Sequence, residues 1–534
     1  MSLRRLTALA ILLAILSACS STSNSNNPYP TYNPFVPLSV TPESTSNGTP
    51  IPSPTRTLGP TPTRAALSVT LPAPRDPNSP MTTPTADAPH ALPTLRQNAQ
   101  QYTVQTGDTL GDIAQKYNIS VDALEQANGI SDPNLLSVGQ MLNIPQPVPG
   151  QVGSSFKIIP DSELVYGPAS AQFDVAGYIQ DKNGYLASYT EALSDPTLPD
   201  VNGQPMTAAQ IIIEVSQDYS VNPRLLLALI EYRSRWITSL NPNPATLDYP
   251  LGYIEPNHVG LYHQLTWTAN ELNRGFYLWN ANAVANWVMA GDGSVVPIDP
   301  TINAGTAGIQ NFFAQEDGRT TWDTDVNAFG LFETYSFLFG SPFDYAIEPL
   351  IPSGLTQPTL QLPFEPGVIW AFTGGPHPAW DSGSAWGALD FAPPDVQGCA
   401  TADEWETAVS DGWIVRSSNG AVMEDLDNDR YEQTGWDILY MHVAAQDRVQ
   451  AGTYVYAGDR IGHPSCEGGI ANASHLHLVR KYNGEWIAAD GNLPFILDGW
   501  VSSGNGTAYD GYLKRGSVTL EAAEGTTDNN QISR

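Results

Sequence analysis

The sequence predicts a multidomain chain: a small βααβ module, a mainly α middle domain and a C-terminal antiparallel all-β domain. Three observations predict it. Residues 20–98 are rich in Ser, Thr, Asn and Pro, as in Pro50-Ile51-Pro52-Ser53-Pro54-Thr55, and such a stretch cannot bury enough apolar surface to fold. Between residues 207 and 237 long apolar runs carry helix start signals. From residue 355 onward, short β-branched and aromatic runs alternate with Gly, Asn and Asp turns. A length of 534 residues accommodates about three domains.

Composition narrows the function classes. The formal net charge is −31, which argues against nucleic-acid binding by a basic footprint. It argues equally against electrostatic adhesion to anionic wall polymers or lipid headgroups. Any glycan binding must then rest on hydrogen bonds and aromatic stacking.

Residues 1–18 read as a signal peptide, with Arg4 and Arg5 ahead of an apolar run from Leu6 to Leu16. The run is too short to span a bilayer comfortably, and no other segment is a transmembrane candidate. Leu16-Ser17-Ala18-Cys19 resembles a bacterial lipobox, which implies that Cys19 is lipidated and becomes the mature N-terminus. An ordinary secretory signal that happens to contain Cys is the alternative. Residues 19–98 then form a disordered linker. Extended at roughly 3 Å per residue, it reaches on the order of 200 Å from a membrane.

Residues 102–145 read strand, helix, helix, strand. Tyr102-Thr103-Val104 leads to Gly107-Asp108-Thr109-Leu110, and Gly139-Gln140-Met141-Leu142-Asn143-Ile144 closes the unit. This pattern resembles a LysM module. The resemblance implies binding of N-acetylglucosamine-containing glycans such as peptidoglycan, against loops around Gly107, Asp108 and Thr109 and around Asn128, Gly129 and Ile130.

Residues 155–350 contain two clear helices, Thr207 to Tyr219 and Pro223 to Ile237. Asn222 supplies a cap for the second and Pro223 its first residue. The run Val221 to Ile230, with Gly260-Leu261-Tyr262-His263-Gln264-Leu265 downstream, resembles lysozyme-like lytic transglycosylases. Their acid is a Glu directly before a Ser, and here the pair is Arg233-Ser234. Arg is no general acid at neutral pH, and Glu231 lies about 200° around the helix from that position. A lysozyme-like fold without transglycosylase activity is expected. Trp236, Tyr253, Tyr262, Trp267, Tyr277 and Trp279 are core residues or glycan contacts.

Residues 355–515 carry the chemistry. His377, Asp390 and His477 form a two-His, one-carboxylate set, which leaves the fourth tetrahedral position of a zinc ion open for water. His475 and His477 alternate in a β-rich run, so both rings face one cleft. Leu439-Tyr440-Met441-His442-Val443 puts another His at a strand end. These residues together resemble the zinc-dependent cell-wall endopeptidases of the lysostaphin and β-lytic type. The thirteen-residue offset between His377 and Asp390 resembles the β-lytic branch. The resemblance implies Zn2+ held by His377, Asp390 and His477. It places His442 and His475 at the proton transfers without deciding which is the base. If the strand is regular, Tyr440 faces the same cleft and donates to the oxyanion.

Cys399 and Cys466 lie in the same domain, and in an exported protein a Cys399–Cys466 disulfide is the expectation against two free thiols. On the chain-entropy account it is worth roughly 4 kcal/mol. Asp425-Leu426-Asp427-Asn428-Asp429 looks like part of a calcium loop, but Arg430 stands where Gly belongs and Trp436 at position twelve. It reads as a tight acidic hairpin turn. The tail, residues 516–534, reads as polar and disordered.

The expected function is a membrane-anchored, peptidoglycan-binding zinc metalloendopeptidase. It acts on the peptide stems of peptidoglycan, touches the membrane only through its N-terminal lipid, and takes no nucleic acid. Lipobox, LysM module and endopeptidase-like domain are also the layout of lipoproteins that activate cell-wall amidases without cleaving anything. A non-hydrolytic activator or a glycan-binding scaffold is the alternative.

Overall fold

The computed structural model describes residue 65, residues 84–94 and residues 96–534 apart from 106–107, 118, 131–135, 149 and 395. The signal peptide, Cys19, Gly107 and most of residues 19–98 lie outside the described residues. Two compact units result. One contains residues 96–147, and the other contains the remaining described residues up to 94 and those from 148 to 534. No helix among the described residues is long and apolar enough to cross a membrane.

The first unit is strand β1 (Gln100–Thr103), helices α1 (Leu110–Lys116) and α2 (Val121–Asn128), and strand β2 (Met141–Ile144). β1 and β2 pair antiparallel, with Tyr102 opposite Leu142. Val104, Leu110, Ile113, Leu124, Leu142 and Ile144 fill the small core. Ser120 caps α2 by accepting from Ala123 N–H, and Gly129, at φ 64°, ends it in the left-handed conformation.

In the second unit the helices stand where the sequence signals put them. α3 (Ala208–Tyr219) opens on a capping box between Thr207 and Gln210. α4 (Pro223–Ser234) opens on the Asn222 cap with Pro223 in its first turn. It stops short of the expected Ile237 because Arg235 turns left-handed, at φ 58°. The Glu231 carboxylate then accepts from Ile237 N–H and Thr238 N–H, each at 3.1 Å. α5 (Leu261–Asn280) and α6 (Ala304–Ala314) complete the middle layer. α6 is buried at every position, the pattern of a helix enclosed by other elements.

The C-terminal part is an antiparallel sheet. Eight of its nine strands are β3 (Trp370–His377), β4 (Ala388–Ala392), β5 (Gly412–Ser418), β6 (Ala421–Asp425), β7 (Trp436–Met441), β8 (Tyr454–Val455), β9 (Leu476–Tyr482) and β10 (Gln531–Ile532). They lie in the order β8-β5-β6-β7-β9-β4-β3-β10. One face carries Leu389, Phe391, Val422, Ile438, Tyr440 and Leu478 into a core of its own. The other face carries Ala388, Met423, Leu439, Met441, Val479 and the neighbouring Trp486 into the core built by the middle helices. The middle region is therefore packed against the sheet. Ser220 Oγ donates to Gly484 O at 2.6 Å, Trp486 N–H donates to Tyr277 Oη at 2.9 Å, and Arg416 pairs with Asp218 at 2.7 Å.

Two stretches expected to be disordered are folded. In the tail, β10 pairs with β3, Ile532 is buried, and the buried Asn530 amide donates to Phe372 O at 3.0 Å and Gly525 O at 2.8 Å. A single asparagine satisfying several carbonyls holds a polar segment that hydrophobic pattern alone does not reveal. At the linker's end, Asp87 N–H and His90 N–H donate to Thr301 O and Pro300 O, and His90 stacks on Trp279 at 4.4 Å.

Burial pushes the carboxyls of Glu316, Glu424 and Glu485 up to about 8 each. A folded-state pKa above the unfolded one stabilises at acidic pH and is lost as pH rises through the folded value. Thermal unfolding is expected to show Tm falling from pH 6 to pH 9. A flat or rising Tm over that interval would contradict it.

Candidate metal centre

Register brings the candidate ligands together. His477 on β9 lies directly across from Asp390 on β4, and Gly374 on β3 lies across from Asp390 on its other side. A Cβ at Gly374 would stand 2.5 Å from Asp390 Oδ2, so only glycine leaves the carboxylate its room. Irregular register after Gly374 brings His377 opposite Ala388. His377 Nε2 is 3.0 Å from His477 Nδ1 and 3.3 Å from Asp390 Oδ1. His477 Nδ1 is 3.1 Å from the same Oδ1. All three residues are buried.

The hydrogen bonds around the set fix where the protons are. His377 Nδ1 is 2.8 Å from Gly375 O, and His477 Nε2 is 2.9 Å from Ala379 O. A carbonyl oxygen only accepts, so each of these ring nitrogens carries the hydrogen. With both imidazoles neutral, the facing nitrogens, His377 Nε2 and His477 Nδ1, are then bare lone pairs. They meet each other and a carboxylate oxygen at 3.0–3.3 Å. Three acceptors converging with no proton between them repel unless a cation lies among them. Two imidazoles and one carboxylate are the donor set of a catalytic zinc site, so these residues fit the ion, and the carbonyls supply the outer hydrogen bonds such ligands use.

His442 and His475 stand beside this set. Their rings are 4.5 Å apart, and the His442 ring is 6.0 Å from that of His477. His442 Nδ1 donates to Glu467 O at 2.9 Å and His475 Nδ1 to Ala473 O at 2.8 Å. His475 Nε2 is 3.7 Å from Asp390 Oδ1. Burial, then the neighbouring His475 and His477, pushes the His442 imidazole well below its ordinary pKa. Its neutral form, with a free lone pair on Nε2, is the one present at neutral pH.

Tyr440 does not share this cleft. β7 ends at Met441, and His442 takes a left-handed backbone, φ 69°. That turn swings its ring onto the His477 face, where strict alternation would have sent it the other way. Tyr440 stays on the opposite face. Its hydroxyl donates to Glu424 Oε2 at 2.6 Å and accepts from Val409 N–H at 2.7 Å. Tyr440→Phe is expected to cost about 1–3 kcal/mol in urea unfolding, through a buried donor and acceptor left unpaired. Zinc content is expected to stay unchanged.

A different tyrosine reaches the site. Tyr509 stacks on the His377 ring at 4.2 Å and 21°, and its carbonyl accepts from Gly375 N–H at 2.8 Å. No local motif marks it, because its place is set by a distant chain reversal. The Cys399–Cys466 disulfide is present, with Cα atoms 5.3 Å apart. Cys466 directly precedes Glu467, whose carbonyl orients His442. The loop that supplies Ala379 O is itself held by the middle helices. Gly383 N–H donates to Asn270 Oδ1 at 2.7 Å, Arg274 Nη2 to Ser382 Oγ at 3.1 Å, and Tyr219 Oη to Asp381 Oδ2 at 3.2 Å.

The other candidate sites fare differently. In the small unit, Asn128 Nδ2 donates to Leu124 O and Asn143 O at 2.8 Å, and its Oδ1 accepts from Asn143 N–H at 2.6 Å. That amide ties α2 to β2. Asp108 Oδ2 accepts from Tyr102 Oη and Gln105 N–H, and Ile130 packs on the core. In the middle region Trp236, Tyr262, Tyr277 and Trp279 are core. Tyr253 and Trp267 spend one face on each other, stacked at 3.9 Å. Arg233 is bound to Glu316 at 2.7 Å and Asp317 at 2.6 Å.

The chain is 43% identical over 52 residues to the N-acetylmuramoyl-L-alanine amidase XlyB of Bacillus subtilis (strain 168), covering 10% of this chain and 16% of that protein. It thus spans about a sixth of the length of such curated relatives. Among solved structures it is similar to pseudoalterin, a deep-sea M23 metalloprotease, at 21% identity over 34% of this chain and 100% of that one, with a TM-score of 0.28. It is also similar to the catalytic domain of lysostaphin from Staphylococcus simulans, at 24% identity over 24% of this chain and 89% of that one, with a TM-score of 0.16. Residues 102–145 match the family model of the LysM domain. Residues 157–351 match the model described as LasA, N-terminal domain. Two family models thus match along the chain, the LysM domain first and the LasA N-terminal domain after it.

Proposed function

We propose that this protein is a zinc metalloendopeptidase that binds peptidoglycan and hydrolyses peptide bonds in it, exported and anchored through a lipid on Cys19. The observation that carries the reading is the meeting of two imidazole nitrogens and one carboxylate oxygen at 3.0–3.3 Å. A zinc ion held by His377, Asp390 and His477 would supply Lewis-acid polarisation of the scissile carbonyl. The rest falls to the chain's own groups. His442, neutral and with Nδ1 anchored on Glu467 O, accepts the attacking water's proton at Nε2. That proton then passes from His442 to the leaving amine, and His475, with Nδ1 anchored on Ala473 O, lines the cleft beside it. Tyr509 walls the His377 side of the site. The LysM domain holds the enzyme on N-acetylglucosamine-containing glycan.

His442→Ala is expected to lower kcat by about 10²–10⁴-fold while zinc stays at one per chain. Loss of zinc together with activity would give His442 a ligand's role instead. The reaction itself is tested by mass analysis of peptidoglycan fragments after digestion. Newly freed amino and carboxyl termini in the cross-links are expected. Anhydro-muropeptides would assign cleavage to the middle domain. Intact polymer, with stimulation of a separate amidase, would make the protein an activator.

A further inference from the structure

We infer that Arg448 is a positioning residue for the proposed reaction and that Asp200, from the middle region, is its anchor. Together they fix the segment whose carbonyl orients His442. The inference rests on the peptidase reading of the metal centre and adds to it a part played by the middle region.

His442 is held in a conformation that needs support. Its backbone is left-handed, φ 69°, which persists in a residue with a side chain only where the surroundings over-determine it. Ser465 N–H and Ser465 Oγ both donate to His442 O, at 2.7 and 2.8 Å. Val443 N–H donates to Gly420 O at 3.0 Å. The ring is aimed by Nδ1–H on Glu467 O, so it is only as well placed as Glu467.

Glu467 is gripped from three sides. Cys466 before it is tied to Cys399. The Asn419-Gly420 turn between β5 and β6 packs directly on it. A Cβ at Gly420 would stand 2.4 Å from Glu467 C, and one at Gly468 would stand 2.4 Å from Asn419 O, so this approach needs both glycines. The third grip comes from the middle region, where Thr197 O accepts from Gly468 N–H at 2.8 Å.

Arg448 links these pieces. It is buried, and its Nη2 donates to Asp200 Oδ2. Its Nη1 donates to Val443 O at 3.3 Å and lies 3.8 Å from Glu467 Oε2. Asp200 Oδ2 also accepts from Asn419 N–H at 2.7 Å, and Asp200 N–H donates to Asn419 Oδ1 at 3.1 Å. One planar guanidinium thus touches the residue after His442 and the residue that orients its ring, with a counter-charge supplied from outside the sheet.

Stability alone is a weak reason for this fork. The Asp200 and Glu467 side chains are 34% and 29% exposed, and ion pairs open to water add little to stability. A rigid fork of donors does fix geometry, and a misplacement of about 1 Å near reacting atoms costs about 100-fold in rate. The middle region is therefore a working part of the catalytic centre.

The test compares zinc-loaded full-length wild type with Arg448→Met. A kcat about 10–100-fold lower is expected, with KM changed less than about twofold and zinc content unchanged. Arg448→Lys, which keeps a cation between Asp200 and Glu467, should recover most of that loss. Nitrogen NMR of histidine-labelled protein, with the His442 signals assigned by their absence in His442→Gln, should show Nδ1 protonated in wild type and a mixture of tautomers in Arg448→Met. If Arg448→Met does not fold, Asp200→Asn, at a partly exposed side chain, replaces it and should show the same changes in smaller degree. An unchanged tautomer in the folded variant overturns the inference, and so does a kcat equal to that of active wild type. If wild type holds no zinc and cleaves nothing, the peptidase reading falls, and the His442 tautomer alone then decides the positioning.

Discussion

Replacing His377 with alanine is expected to remove zinc and peptidase activity together. The imidazole supplies one of three ligand atoms, and its Nδ1–H is fixed on Gly375 O at 2.8 Å, so no neighbouring side chain stands in for it. Loss of hydrogen bonds behind metal ligands alone costs 10–100-fold in affinity. Loss of the ligand itself should therefore exceed about 100-fold, and inductively coupled plasma analysis of the dialysed variant should find almost no zinc. His477→Ala should behave alike. The folded state should survive both changes, because the sheet's cores lie in Leu389, Phe391, Leu478 and Val479 and not in these rings. A variant that keeps one zinc and full turnover would dissolve the proposed centre.

Arg416→Ala is expected to be the most destabilising single substitution of a charged residue. Arg416 leaves β5 buried, pairs with Asp218 of α3 at 2.7 Å and faces Glu432 at 3.5 Å. Its partners crowd it with negative charge. Burial, then the neighbouring Glu214, works to raise the Asp218 carboxyl, and Arg416 is the cation that opposes them. Removing the cation leaves buried carboxylates uncompensated, at a cost of about 3–5 kcal/mol. Because one hydrophobic core runs from the middle helices into the sheet, the loss should appear as a single shifted transition in urea. Two separate transitions, with only the sheet affected, would mean the two regions fold independently.

Much of the sheet was legible because its strands alternate or run apolar between turn residues. Ala421 to Asp425, an apolar run ahead of the acidic turn, forms β6. The ligand trio was legible because its residue types are rare here and restrictive. What sequence could not convey was register. Asp390 meets His477 only because β4 lies beside β9, a pairing across the chain that no local spacing encodes. Alternation misled at one point: the left-handed His442 reverses the face, and with it Tyr440 leaves the site for Glu424.

The union of middle region and sheet was hidden for a related reason. Leu225 to Ile230 in α4 are buried on every side, so the run showed that the helix is enclosed without showing by what. The order of the tail depends on one amide, that of Asn530, and the place of Tyr509 on a turn distant in sequence. Side-chain bonds of this kind decide local order without leaving a periodic trace.

The most direct test of the central claim is a crystal of the zinc-loaded protein measured on both sides of the zinc absorption edge. The account predicts one strong anomalous peak about 2.0–2.2 Å from His377 Nε2, His477 Nδ1 and an Asp390 oxygen. No peak there, with the two imidazoles bridged by a proton instead, would contradict it.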